Sequence, residues 1–202
     1  NVSDDQLALL CERAGFNVFR GSLNNVLDRF QKAIAKEDYA NIVRITGDCP
    51  LCDPKIIDDV IESHLNSKAE YTSNALKPSF PDGLDVEVIT KAAFEKVLKS
   101  AFLPSQLEHV TPYVYQNPTE FKINEHVSKM DFSKLRWTVD ELIDFEFVSE
   151  IYRLIYPKKP DFGMEDVLKV INSNCLRNFD NSGIKRNEGY AISLLQDLKY
   201  GA

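Results

Sequence analysis

Strand-like and helix-like patterns alternate along most of this 202-residue sequence. Short apolar segments, typical of strands, are followed by longer segments whose apolar residues recur every three or four positions, as on one face of a helix. Such alternation favours an α/β layer fold with a mainly parallel sheet. No internal repeat or low-complexity linker divides the chain, so we predict one domain that spans residues 1–202.

Capping residues and breakers give the expected bounds of these elements. Helices are predicted over residues 4–14, 22–36, 53 onward, 90–100, 105–115, 140–155, 164–173 and 187–198. Strands are predicted over residues 16–20, 40–46, 70–74, 85–89, 121–127 and 135–139. Four helices are expected to begin at polar N-caps, namely Ser22, Asp53, Thr90 and Asp140. Because the first element is a helix without a strand before it, we expect the sheet to lack an N-terminal unit.

The sequence carries a formal net charge of -7 at pH 7. A nucleic acid or an anionic membrane surface would be repelled by this charge, so we expect neither as a partner. No run approaches the roughly 18 apolar residues that a membrane span needs, and residues 1–15 do not resemble a secretory signal. We therefore expect a soluble, cytoplasmic protein.

The four cysteines, Cys11, Cys49, Cys52 and Cys175, are too sparse for the disulfide framework of a small secreted domain. Reduced thiols are expected. Cys49 and Cys52 form a Cys-x-x-Cys pair, but a structural zinc site would need a second pair of ligands at similar spacing, and the sequence has none. A thioredoxin-like redox role stays open, and the simplest interpretation is two small apolar residues that fill space.

Two predicted strands end in an acidic residue. Asp48 follows the strand of RITGD, and Asp140 follows the strand of RWTVD. In open α/β sheets ligands bind beyond the carboxyl ends of strands, and a pair of carboxylates there suits Mg²⁺, which prefers oxygen ligands. The alternative is that both acids only cap the helices that follow.

Three other stretches hold candidate binding residues. In FPDGLDVEV, a turn precedes a strand that places Asp85 and Glu87 on one side, where they could bind sugar hydroxyls or simply face solvent. His109 lies on a predicted helix, where a lone histidine is more often a hydrogen-bonded packing residue. Residues 20–22 lie between a predicted strand and a helix and could bind an anion or a base edge through free N–H groups, whereas Asp28 and Arg29 could simply form a solvated helix face.

Eight motifs, in register along nearly the whole chain, resemble the cytidylyltransferases of the spore-coat polysaccharide biosynthesis protein F type. They are VFRGS, NVLDRF, RITGDCPLCDP, YTSN, FPDGLDVEV, EHVTPYVY, LRWTVD and RNEGYAISL. The resemblance implies a Rossmann-like three-layer α/β/α sandwich of the nucleotide-diphospho-sugar transferase type, related to the CMP-Kdo and CMP-sialic acid synthetases. It also implies the partners: CTP and an acidic sugar, joined as a CMP-sugar with Mg²⁺ as cofactor. A homodimer is compatible with the resemblance.

The same resemblance implies a role for each matching residue. Asp48 and Asp140 would be the catalytic, metal-binding acids, and the Cys-x-x-Cys pair would be coincidental. The nucleotide side would comprise Arg20, Gly21, Ser22, Asp28, Arg29, Thr46 and Gly47. The sugar side would comprise Asn74, Asp82, Gly83, Asp85, Glu87, His109 and Tyr113.

The family's glycine-rich triphosphate loop has no counterpart in these 202 residues. The resemblance therefore implies a domain that lacks its first strand and phosphate loop, and we expect the chain alone to bind CTP weakly. One alternative is a non-catalytic module, or truncated remnant, that binds a sugar or nucleotide. A glycosyltransferase is a weaker alternative, because the sequence has no Asp-x-Asp motif.

Overall fold

A computed structural model describes residues 2–173, 183–184 and 186–201. The helices of these residues are α1 (Asp5–Arg13), α2 (Val26–Ala33), α3 (Pro54–Ser67), α4 (Lys91–Ser100), α5 (Pro104–His109), α6 (Pro112–Gln116), α7 (Leu142–Ile155), α8 (Met164–Asn172) and α9 (Glu188–Asp197). The strands are β1 (Asn41–Arg44), β2 (Tyr71–Ser73), β3 (Glu87–Thr90) and β4 (Ile123–Glu125). In this part of the chain no helix is both long and apolar enough to cross a membrane.

The four strands form one sheet in the order β1-β3-β2-β4. Strand β3 is antiparallel to both β1 and β2, whereas β2 and β4 are parallel. The predicted α/β class is confirmed, but the expectation of a mainly parallel sheet is wrong. The reason is that the loop between β2 and β3 reverses the chain, so β3 returns beside β2. At this reversal the Asn74 N–H donates to the Val86 carbonyl (3.3 Å).

The described chain forms two compact units. We call residues 2–38, 97–113 and 189–201 the helical unit, and residues 39–96, 114–173, 183–184 and 186–188 the sheet unit. In the helical unit, the buried Asp197 carboxylate accepts hydrogen bonds from the Ser105 N–H (2.9 Å) and hydroxyl (2.6 Å). That carboxylate therefore caps α5 from a distant position in the chain. The prediction of a single domain stays a prediction.

The sheet unit has one main apolar core. Helix α3 packs against β2, β3 and β4, and α7 packs against α8. Trp137, the single tryptophan of the chain, is 1% exposed in this core. The buried members of the core are Leu51, Ile56, Val60, Phe80, Leu84, Val86, Val88, Trp137, Phe147, Val148, Ile151, Ile155 and Val167.

Two predicted strands are not strands in the described chain. Residues 16–20 have no regular structure, and no neighbouring strand pairs with them. Residues 135–139 form only a single bridge, which joins Asp82 to Arg136. The backbone of residues 135–137 forms hydrogen bonds with Asp82 (2.9 and 2.6 Å), and that of Val139 forms one with Asp48 (2.8 Å). Because these partners lie in two different loops, no continuous strand pairing forms.

The predicted helix caps are right where the acceptor lies directly before the helix. Asp53 accepts from the Lys55 N–H (2.8 Å), and Thr90 accepts from Ala93 N–H (3.2 Å). The predicted Ser22 cap is wrong. Helix α2 is capped by Asn25, whose side chain accepts from the Asp28 N–H (2.9 Å).

Asp53 caps two helices at once. One carboxylate oxygen accepts from the Lys55 N–H of α3, and the other accepts from the Met164 N–H of α8 (2.7 Å). Gly163 makes this approach feasible, because a Cβ there would lie 2.4 Å from the Asp53 carboxylate. A single side chain thus fixes the starts of two helices against each other.

We expect Asp53→Ala to destabilise the sheet unit by roughly 2 kcal/mol, since two caps are lost at about 1 kcal/mol each. The measurement is urea unfolding followed by Trp137 fluorescence. Asp59→Ala is the matched control, because its ion pair with Lys55 (3.3 Å) is exposed and should contribute little. Equal unfolding midpoints for the two variants would contradict the double cap.

Candidate active site

The loop that carries Asp48 is bonded to the segment that carries Asp140. The Asp48 carbonyl accepts from the Val139 N–H (2.8 Å) and from the Thr138 hydroxyl (3.1 Å). Both Asp48 and Asp140 are exposed. The two predicted metal acids are therefore carried by adjacent backbone segments and are open to solvent.

Arg136 joins three carboxylates beneath this surface. Its side chain is 5% exposed and donates to Asp144 (3.1 and 2.9 Å), Asp140 (2.6 Å) and Asp82 (3.3 Å). Burial alone would lower the pKa of Arg136, but the hydrogen bonds with Asp144 and Asp140 outweigh it and raise this pKa. The guanidinium stays charged and holds the three acids in place.

Asp144, not Asp140, accepts the backbone hydrogen bonds at the start of α7. The Asp144 carboxylate is fully buried and accepts from the N–H groups of Asp140 (3.1 Å) and Glu141 (3.0 Å). The prediction that Asp140 caps this helix is therefore wrong. Because Asp144 takes that role, the Asp140 carboxylate can pair with Arg136 and face solvent.

Arg186 holds the two acids of the Pro-Asp-Gly loop. Its Nη2 donates to the Asp85 carboxylate, and its Nε lies 3.3 Å from Asp82 Oδ1. Burial raises the pKa of both aspartates, and Arg186 opposes this effect. Asp140 and Asp48 add to the rise at Asp82, so the field of both predicted metal acids reaches this loop.

Two predicted sugar-side residues are already engaged within the protein. The Asn74 amide lies between the Leu84 carbonyl (2.7 Å) and the Val86 N–H (2.8 Å), and Asn74 is 1% exposed. The Glu87 carboxylate is bound by Arg44 and by the Tyr71 hydroxyl. These contacts shape the loop and the sheet. Direct contact of either side chain with a sugar stays a prediction.

Gly83 lies where the loop meets the segment of Asp140. Its φ is +104°, and a Cβ there would lie 2.5 Å from the Thr138 nitrogen and 2.6 Å from the Trp137 carbonyl carbon. Only glycine tolerates both the backbone conformation and the close approach. The position therefore fixes the loop of Asp82 directly against residues 137 and 138.

We expect Gly83→Ala to destabilise the sheet unit by roughly 3 kcal/mol, because the new Cβ would meet immovable backbone atoms. Urea unfolding, followed by Trp137 fluorescence, measures the loss. The control is Gly47→Ala, since a Cβ at Gly47 meets no atom within 4 Å. A large loss of stability in the control, or no loss in Gly83→Ala, would contradict the conclusion that only glycine fits at position 83.

Five predicted nucleotide-side residues lie in the helical unit, and most of their polar groups contact one another or neighbours. Arg20 pairs with Asp5, and Asp28 pairs with Lys32 (2.8 Å). The Ser22 hydroxyl accepts from the Asn25 N–H, and its carbonyl accepts from Arg29 (3.2 Å). A Cβ on Gly21 would lie 3.1 Å from the Arg29 side chain. The structure thus shows a folded loop, and its contact with a nucleotide stays a prediction.

His109 and Tyr113 also lie in the helical unit. His109 Nε2 is 3.0 Å from the Ser193 hydroxyl, and its ring packs edge-on against Tyr190 at 5.2 Å. These contacts fit the packing alternative for His109 in the sequence. Tyr113 lies on α6 and is half-buried. The sugar-side role of each residue stays a prediction.

Cys49 and Cys52 are free thiols next to Asp48. The Cys49 thiol donates to Asp48 Oδ1 (3.4 Å) and lies 3.1 Å from the Thr46 hydroxyl. Burial raises the pKa of Cys49 and raises that of Cys52 to about 11. Both are therefore protonated near neutral pH in the metal-free protein, which disfavours a reactive, redox-active thiolate. Cys175 lies outside the described residues.

We expect both thiols to react slowly with Ellman's reagent at pH 8, because a thiol with a pKa of about 11 is only about 10⁻³ ionised there. The protein should carry Ser at positions 11 and 175, so that only Cys49 and Cys52 are measured. Unfolding in urea should speed the reaction roughly 100-fold or more. Fast reaction of the folded protein, or stoichiometric zinc by elemental analysis, would contradict this.

The carboxylates of Asp48 and Asp140 provide oxygen ligands, which are the kind that a magnesium ion prefers. Among the residues that the structure describes, no group of three or more His, Cys, Asp or Glu side chains is arranged to hold a metal ion. Mg²⁺, however, is commonly bound by one or two carboxylates together with substrate phosphates and water. Two exposed carboxylates on adjacent segments are compatible with this mode of binding, and binding of Mg²⁺ by Asp48 and Asp140 stays a prediction.

Arg136, Asp144 and Arg186 are the important residues that sequence reasoning missed. A signal for Arg136 was present, because a guanidinium inside an apolar segment requires carboxylate partners. Arg186 opens the motif RNEGYAISL, but its partner Asp85 lies 101 residues away. Spacing along the sequence could not reveal that pair.

Comparison with known proteins adds independent information. A family model described as cytidylyltransferase matches residues 3–166. Uncharacterized protein MJ1063 of Methanocaldococcus jannaschii is 39% identical over 153 residues, which cover 74% of this chain and 61% of that protein. Spore coat polysaccharide biosynthesis protein SpsF of Bacillus subtilis is 32% identical over 177 residues, which cover 85% of this chain and 71% of that protein. The chain thus spans less than two thirds of the length of the first of these relatives.

The solved structure of a cytidylyltransferase from Leptospira borgpetersenii is similar to most of this chain. It superimposes with a TM-score of 0.82 at 32% sequence identity. The match covers 91% of this chain and 76% of that one. The nucleotide-diphospho-sugar transferase type of fold expected from the motifs is therefore confirmed.

Proposed function

Because the chain belongs to the cytidylyltransferase family, we propose that it is a nucleotidyltransferase that joins CTP to an acidic sugar. The products would be a CMP-sugar and pyrophosphate, formed in the cytoplasm for surface polysaccharide biosynthesis. The family model and the Leptospira structure support the reaction class. The name of the Bacillus relative, a spore coat polysaccharide biosynthesis protein, supports the polysaccharide role.

The observation that carries this proposal is the junction of the Asp48 loop with the Asp140 segment. Its 2.8 Å backbone hydrogen bond sets two exposed carboxylates on adjacent segments. A sugar hydroxyl would attack the α-phosphorus of CTP, the bond to the β-phosphate oxygen would break, and pyrophosphate and the hydroxyl proton would leave. Catalysis of such a transfer depends mainly on positioning and on charge neutralisation.

Asp48 and Asp140 would hold Mg²⁺, and a bound Mg²⁺ supplies positive charge against the phosphate oxygens. The chain's own residues keep these acids in place. Arg136 fixes the Asp140 carboxylate at 2.6 Å, and Asp144 holds the backbone of Asp140 at 3.1 Å. The Thr138 hydroxyl donates to the Asp48 carbonyl and so orients the other loop.

The charge of this region favours a cation over a bare anion. Among the residues that the structure describes, five carboxylates there lie around two guanidiniums, namely Asp48, Asp82, Asp85, Asp140 and Asp144 around Arg136 and Arg186. An excess of negative charge attracts divalent cations and repels a bare triphosphate. We therefore propose that CTP binds as its magnesium complex.

A non-catalytic nucleotide-binding or sugar-binding module is the second candidate. The observation in its favour is the ion pair of Asp140 with Arg136, because a carboxylate already bound by a guanidinium holds a metal less tightly. Binding assays and turnover assays separate the two candidates, since a module would bind its ligand without releasing pyrophosphate.

The test is pyrophosphate release by the full gene product with CTP, Mg²⁺ and a panel of acidic and neutral sugars. We expect turnover with CTP and an acidic sugar, and loss of turnover when EDTA removes the metal. Asp48→Asn and Asp140→Asn should each lower kcat by roughly 10²-fold or more, because each removes a charge that acts on the transferred phosphate.

Asp59→Asn is the control for these variants, since Asp59 is an exposed side chain on α3. Tight binding of CTP and Mg²⁺ without turnover of any sugar would favour the non-catalytic module. Turnover that survives both EDTA and the Asp48 substitution would overturn the proposed site.

A further inference from the structure

Arg186 belongs to the sheet unit but lies beyond residues 3–166, the stretch that the family model matches. Its guanidinium nevertheless reaches two acids within that stretch. It donates to the Asp85 carboxylate and lies 3.3 Å from Asp82. The part of the chain after the matched stretch thus contributes a side chain to the predicted sugar side.

The hydrogen bonds of Arg186 are incomplete. Its side chain is 17% exposed, and among the residues that the structure describes neither Nε nor Nη1 has a hydrogen-bond acceptor, although both atoms are shielded from solvent. The approach to Asp82 therefore brings opposite charges together without a well-aligned hydrogen bond. An ion pair with shielded, unsatisfied donors is a poor device for stability, so the contact requires another explanation.

Arg186 is also linked to the candidate metal acids. Asp82 lies between Arg186 and Arg136, and Arg136 in turn binds Asp140 and Asp144. The two arginines and four aspartates alternate in charge from Asp85 to Asp140. Among the described residues, the fields of Asp48 and Glu87 also reach Asp82 and Asp85 respectively, and Glu87 is itself paired with Arg44.

We propose that Arg186 is a positioning residue for the sugar, which holds the carboxylates of Asp82 and Asp85 in a fixed pair as acceptors for sugar hydroxyls. This inference rests on the proposed function. A carboxylate accepts hydrogen bonds and provides no donor, so two such groups at a set separation select hydroxyl pairs on one face of a sugar ring. Without the guanidinium, like charges on Asp82 and Asp85 would move the two side chains apart.

The experiment compares steady-state kinetics of Arg186→Ala, Arg186→Lys and the unaltered full gene product. We expect Arg186→Ala to raise KM for the sugar about tenfold or more and to leave KM for CTP within about twofold. Arg186→Lys should restore part of the loss, because an ammonium group can pair with one carboxylate but cannot bridge two in the same geometry. Arg153→Ala is the matched control, since Arg153 pairs only at the surface with Glu150 on α7.

A double-mutant cycle with Asp85→Asn tests the route of the effect. If Arg186 acts through Asp85, its removal should raise KM for the sugar much less in the Asp85→Asn background. A variant that folds poorly has a lower apparent kcat but an unchanged KM. Trp137 fluorescence measures the folded fraction of each variant and so identifies such cases.

Three results would overturn the inference. Turnover by the unaltered protein, with the same sugar KM in Arg186→Ala, would overturn it alone and leave the proposed function intact. Additive effects of Arg186→Ala and Asp85→Asn would show that the two side chains act separately. Absence of turnover by the unaltered protein with every sugar would overturn the proposed function, and this inference with it.

Discussion

The buried guanidinium of Arg136 is the interaction on which the rest of the candidate site depends. An isolated charge at 5% exposure would be very costly, and Arg136 avoids that cost by donating to Asp144, Asp140 and Asp82. These partners come from the start of α7, the residues before it and the Pro-Asp-Gly loop. Because residues 135–139 have no strand ladder, the guanidinium and three backbone hydrogen bonds to Asp82 and Asp48 fix their position. Arg136 and these backbone hydrogen bonds together set the location of Asp140 and, through Val139, that of the Asp48 loop.

Local chemistry made part of the fold predictable. The Asp53-Pro54 and Thr90 helix starts were right, because an acceptor one or two residues before a helix acts within one turn of chain. The expected strand at 135–139 was wrong for the opposite reason. Its apolar character reflects burial of Trp137 in the core, and burial alone does not supply a partner strand. The antiparallel pairing of β3 was equally inaccessible, since the direction of a strand depends on which neighbour it returns to.

The acidic residues of the candidate site were predicted from the sequence, but the arginines that pair with them were not. Asp48 and Asp140 stand out because each follows an apolar segment, and the structure sets their backbones side by side. Whether they bind a metal stays a prediction. The arginines that organise these acids act over long sequence separations, as with Arg186 and Asp85 at 101 residues. The sequence could indicate that Arg136 needs carboxylate partners, but which acids pair with Arg136 and Arg186 becomes visible only in three dimensions.

The excess of carboxylates over guanidiniums links the fold to the proposed chemistry. Each arginine is shared between at least two aspartates, so neither can neutralise all of its partners. Burial is the main cause of the raised pKa of Asp82, and the negative charges of Asp140 and Asp48 add to it against the opposing arginines. A cation bound by Asp48 and Asp140 would relieve this repulsion and would also provide the charge that a triphosphate needs. On this view the acids of the sugar side and the acids of the metal side form one electrostatic unit, and occupation of either side should strengthen the ordering of the other.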